Sequence, residues 1–161
     1  MPIDVHSYLI DPSGKDWAAL LSHWSELLPE TLSVWLVNRF GDAFTIFEDG
    51  SIHLLDVGAG TIRRVADNRD HFAAESEVAD NANNWLMIPL VDQAVGSGMA
   101  LGSDQCYAFK IPPMLGDEYA LQNVAVLGIA EYYAFLSDVA GQIKGISDGT
   151  NVNIHVAPRP T

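Results

Sequence analysis

The chain of 161 residues has a single cysteine, Cys106, so no disulfide can close within it. That composition fits a reducing compartment. Basic side chains are also scarce. Eight Lys and Arg stand against 21 Asp and Glu, for a formal charge of −13. A field of that sign repels nucleic acid and anionic membrane and attracts basic partners. Apart from the Arg63–Arg64 pair the basic residues are scattered, so no nucleic-acid footprint is present. The plainer meaning of the acidity is solubility. No hydrophobic run is long: the most apolar stretch, Val124 to Leu136, is interrupted by Glu131 and is too short to span a bilayer. Met1 to Asp11 lacks the basic and apolar regions of a secretory signal, so the expectation is a cytoplasmic protein without a membrane or nucleic-acid partner.

Catalytic and metal-binding patterns are missing as well. His6, His23, His53, His71 and His155 show no spacing of the kind that places two ligands on one helix face or strand. No calcium-loop spacing and no Gly-x-Ser-x-Gly elbow occurs. Gly96 to Gly102 is glycine-rich, but it follows a helical pattern and lacks the dinucleotide spacing, so a helix stop and turn is expected there. Cys106 is the one candidate thiol nucleophile. No histidine lies near it in sequence, and its neighbours Tyr107 and Phe109 suit a strand in the core. Neither a cofactor, a metal nor a catalytic residue is expected.

What is present describes one globular domain over residues 1–161. The chain is 48% hydrophobic and 18% charged, enough apolar content to form a core. Asp11 or Ser13 is placed to cap a helix in which Trp17, Leu20, Leu21, Trp24, Leu27 and Leu28 recur at helical spacing. Beyond Pro29, Leu32, Trp35, Leu36 and Phe40 continue that spacing up to Gly41, giving an expected N-terminal helical segment over residues 1–40.

The period then changes. Ala43 to Glu48 and Ser51 to Val57 alternate around Asp49-Gly50, a hairpin turn in which glycine supplies positive φ. Thr61 to Ala66 adds a third strand, with Phe44, Ile46, Ile52 and Leu54 on one buried face. From Asp67 a helical zone runs to Gly96, split into two helices by the polar stretch Asn81 to Asn84, with Pro89 in the first turn of the second. Strands at Cys106 to Lys110 and Val124 to Ile129, a helix over Glu131 to Lys144, a turn at Ser147 to Gly149 and a strand at Val152 to Val156 complete the expectation. The fold class is α+β: an antiparallel sheet with helices packed on one face, the sheet-plus-helices core occupying residues 41–156.

Two segments together resemble a known family. One runs from Gly41 through Asp49-Gly50 to Asp56, followed by Gly58 and Gly60. The other is the string Gln105-Cys106-Tyr107-Ala108-Phe109-Lys110-Ile111-Pro112-Pro113-Met114-Leu115-Gly116, with Tyr119 after it. Their order is similar to the C-terminal domain of type VI secretion DNase-immunity proteins, a family distantly similar to the SUKH immunity superfamily. The likeness spans residues 30–150. Asp117 stands where that family often has a second glycine, and only a short segment precedes the hairpin where longer members carry a larger region. The resemblance implies an α+β protein without catalytic residues, which neutralises a nuclease toxin by stoichiometric binding. A general protein- or peptide-binding module and, less directly, a small hydrolase are the alternatives. Asp49, Gly50, Gln105, Cys106, Tyr107, Phe109, Lys110, Pro112, Pro113 and Gly116 read physically as fold-defining. The expected contacts to a basic protein partner are the acids of the meander, taken as exposed: Asp42, Glu48, Asp49 and Asp56.

Overall fold

A computed structural model describes residues 5–116 and 118–144 of the chain. The expected turn at 147–149, the expected strand at 152–156, and Asp117 lie outside the described residues.

The N-terminal segment is less helical than its periodicity suggests. A 3-10 turn at Val5–Tyr8 leads into strand β1 (Leu9–Ile10), followed by helix α1 (Trp17–Leu21), which passes into a second 3-10 turn at Ser22–Trp24. Asp16 is the residue that caps α1, accepting the Ala19 amide at 3.1 Å. Asp11 closes its own turn instead, accepting the Ser13 amide at 2.9 Å. The helix does not reach Leu28. The Ser22 hydroxyl donates back to the Ala19 carbonyl, a local bond that competes with helix continuation.

Leu32–Asn38 is a strand, β2, and not a helix. Its register against strand β3 (Ala43–Phe47) slips between Val34 and Leu36. This bulge puts Trp35 and Leu36 together with one core group, and Val34 and Val37 with the other. Two adjacent residues facing one way imitate the i, i+3, i+4 spacing of a helix, which explains the misreading.

The meander forms as its sequence predicts. Strand β4 (Ile52–Asp56) pairs antiparallel with β3, and strand β5 (Thr61–Ala66) pairs with β4. Gly50, at φ +86°, turns the hairpin in the left-handed region. The sheet order is β1-β2-β3-β4-β5.

Three helices follow where two were expected: α2 (Arg69–Ser76), α3 (Ala79–Leu86) and α4 (Ile88–Gly96). The polar stretch 81–84 lies inside α3, and the break comes at Met87, held at φ +54°. Pro89 does sit in the first turn of α4, where a missing amide hydrogen costs nothing. Strands β6 (Gln105–Phe109) and β7 (Val124–Gly128) form a second, two-stranded antiparallel sheet, and helix α5 (Ile129–Ile143) closes the described chain.

The α+β class is as expected, but helices cover both faces of the main sheet. On one face Phe72 of α2 and Trp85 of α3 pack with Phe44, Ile52 and Leu54. On the other, Tyr132, Tyr133 and Leu136 of α5 pack with Val37, Ala43, Leu55 and Cys106. β3 and β4 carry apolar residues on both faces, as a central strand does.

Candidate partner-binding surface

The four meander acids occupy different environments. Asp42, expected to be exposed, is buried at the start of β3. Its carboxylate accepts the Val57 amide at 3.1 Å and the Asn38 side-chain amide at 3.0 Å. Asn38, itself fully buried, accepts the amides of Phe40 and Asp42 at 2.9 and 3.0 Å and donates to the Trp85 carbonyl at 2.9 Å. Asp42 is therefore a tie between the β2–β3 turn and the end of β4. Desolvation, and then the charge of Asp56, hold its carboxyl well above the usual range. Asp56 is half-buried, accepts the Ala59 amide at 3.1 Å and is also raised, chiefly by burial. Sequence gave no warning of this, because an acid beside a turn is ordinarily solvated.

Glu48 and Asp49 do lie exposed at the hairpin tip. Hydrogen bonds from the Ser51 hydroxyl and amide keep the Asp49 carboxyl below its ordinary value. Arg64 of β5 reaches towards Asp49 at 3.9 Å and binds Asp67 at 2.9 Å. Asp67 and Asp70, at the start of α2, are exposed. Arg64 thus links the hairpin tip to the start of α2, lying between Asp49 and Asp67. Asp67 and Asp70 were missed in the sequence because nothing local links them to residues 48–49.

Three neighbouring side chains superficially suggest hydrolase chemistry. The Ser51 hydroxyl donates to Asp49, and its oxygen lies 3.0 Å from His53 Nε2. In a catalytic triad the carboxylate orients the histidine and the hydroxyl faces substrate. Here the hydroxyl is consumed by the carboxylate, Ser51 is buried, and the His53 ring stacks on Phe47 at 3.7 Å. His53 is pushed below its ordinary value, mainly by burial. The Cys106 thiol is fully buried, and burial pushes it up to about 12, so it is not a thiolate near neutral pH. Among the described residues no three His, Cys, Asp or Glu side chains converge to hold a metal ion.

The string around Cys106 to Pro113 forms a packing and hydrogen-bonding node. Gln105 Oε1 accepts the Gly102 amide at 2.7 Å, and the Tyr107 hydroxyl donates to the Met99 carbonyl at 2.6 Å. Phe109 stacks on Phe40 at 4.9 Å. Lys110 Nζ donates to the Gln122 carbonyl at 3.1 Å. Pro113 closes over Gly58, where an added Cβ would meet its Cδ at 2.9 Å, and Met114 donates its amide to the Gly58 carbonyl at 3.0 Å. Gly116 ends the 3-10 turn Pro113–Leu115 that follows Pro112. Asn123, buried and not foreseen, ties this loop by bonding Ile111 through both backbone groups at 2.9 Å each.

Residues 66–140 match the family described as T6SS immunity protein, Tdi1, C-terminal. The family resemblance holds over that stretch. It takes in α2 to α4, the β6–β7 sheet and most of α5, with the whole Gln105–Tyr119 string inside it. The hairpin bearing Glu48 and Asp49 lies outside the matched residues. No curated protein matches the chain. Among the described residues no helix is long and apolar enough to cross a membrane.

Proposed function

We propose that this protein is an immunity protein that neutralises a nuclease toxin of type VI secretion by stoichiometric binding in the cytoplasm. The observation that carries the proposal is the family match over residues 66–140. Charge and geometry supply a mode of contact. A nuclease needs a basic cleft to hold its phosphate backbone. Exposed acids at the hairpin tip, Glu48 and Asp49, and beside the start of α2, Asp67 and Asp70, would face such a cleft, within a chain of net charge −13. Complementary fields of this kind speed encounter and set orientation. Asp42 and Asp56 are assigned to the fold and not to the interface. The single free cysteine and the nuclease's own substrate both favour the cytoplasm.

Charge reversal tests the surface. Glu48→Lys combined with Asp49→Asn removes negative charge, while Asn keeps the side-chain oxygen that accepts from Ser51. Affinity for the toxin, measured by titration calorimetry, is expected to fall at least about tenfold. Unchanged affinity in a folded variant removes the hairpin tip from the interface.

A further inference from the structure

A concavity of about 380 Å³ lies between the N-terminal strand and the loop before β6, lined in part by Leu9, Ile10, Lys15, Arg39, Leu101 and Asp104. Arg39 is its unusual member. Both backbone groups are engaged, the amide with the Tyr8 carbonyl at 3.2 Å and the carbonyl with the Tyr107 amide at 2.7 Å. The residue is half-buried, and its side chain makes no hydrogen bond or ion pair among the described residues, although its charge reaches the Tyr8 hydroxyl, which donates to Asp92. Several other basic residues of the chain are occupied. Lys15 meets Asp104 at 3.5 Å and the Ser103 carbonyl at 3.1 Å, Arg64 meets Asp67, and Arg69 lies over the Trp35 ring at 5.5 Å. In a chain with 21 acids, a half-buried arginine on a cavity wall with no carboxylate in ion-pair contact leaves its guanidinium available to an incoming one.

We infer that this pocket binds a carboxylate carried on a short apolar stem. The planar fork of Arg39 matches a carboxylate through two parallel hydrogen bonds. Charge selects a monoanion. The Lys15 ammonium is already balanced by Asp104, and Asp11 adds a further negative charge to the lining. A phosphate, with nearly two charges, would meet both acids with only one guanidinium to offset it. Leu9, Ile10 and Leu101, all half-buried, supply the wall against which an aliphatic stem packs. The free α-carboxylate of a chain ending in an aliphatic residue and a small aliphatic carboxylate share this chemistry. The pocket is independent of the toxin-binding proposal and of the hairpin tip.

The test follows the methyl resonances of Leu9, Ile10 and Leu101 in the full chain as N-acetyl-leucine, N-acetyl-leucinamide, inorganic phosphate and an N-acetylated tetrapeptide ending in leucine are added. Saturable shifts are expected with the carboxylates and not with the amide or phosphate. The tetrapeptide binding more tightly assigns the source to a polypeptide end, and N-acetyl-leucine binding more tightly assigns it to a small carboxylate. Arg39→Gln should weaken binding by at least about tenfold and leave the melting temperature unchanged, because that side chain makes no bond to lose. Equal shifts from acid and amide, preference for phosphate, or wild-type binding by Arg39→Gln each overturn the assignment.

Discussion

Asp42 shows how much one residue's environment alters its meaning. Its carboxyl is tied to Val57 and Asn38 inside the fold, so Asp42→Ala leaves two buried donors without an acceptor. The expected loss is about 2–4 kcal/mol, measured by urea unfolding. Protonation provides a second check. Burial raises Asp42, with Asp56 raised beside it, so the folded state holds these protons more tightly than the unfolded chain. Their stabilising contribution is therefore fully present below the unfolded pKa, about 3.9, and is lost as pH rises through the raised folded values. The advantage of wild type over Asp42→Asn should be greatest near pH ~4 and shrink towards pH ~7. An advantage that grows with pH would show that Asp42 is held as a carboxylate. Tyr133 makes a comparable tie, donating to the Gly41 carbonyl at 2.6 Å, and its hydroxyl is raised by burial. Tyr133→Phe should cost about 1 kcal/mol by the same measurement.

At the scale of elements, the close approach of Gly58 to Pro113 joins the main sheet to the loop after β6. Gly58→Ala places a methyl group against the proline ring, which is rigid. About 1–3 kcal/mol of destabilisation is expected in thermal or urea melts, and no change would mean that the loop can shift aside. The β3–β5 meander was legible because alternation and Asp-Gly are local signals. Helix α5 and strand β7 were legible for the same reason. β2 was not, since the bulge between Val34 and Leu36 gave a strand the spacing of a helix. The break at Met87 was hidden too. A left-handed methionine has no sequence signature, whereas the Asn81–Asn84 run looked like an interruption and sits within α3. Of the candidate surface, only Glu48 and Asp49 could be seen beforehand. Asp67 joins them through Arg64 of β5, and Arg39 stands out only once its lack of an ion pair is visible.

For the whole molecule, acidity has two distinct uses. Some of the acids are structural ties, as at Asp42 and Asp56, while the patch around Arg64 is open to solvent. Only the second kind can steer a basic partner. Association with a toxin should accordingly slow as salt rises, because exposed charges more than about 10 Å apart are screened at about 0.1 M salt. A rate that ignores salt would assign binding to an apolar surface instead. The hairpin tip lies outside the segment that matches the immunity family, while Asp67 and Asp70 lie inside it, and Arg64 connects the two through Asp49 and Asp67. The most direct test of toxin neutralisation is a titration of the purified protein into a type VI secretion nuclease toxin of the same organism, following both complex formation and DNA cleavage. The expected result is a 1:1 complex, with cleavage abolished at one equivalent. Cleavage that continues at several equivalents, without a complex, would contradict the account.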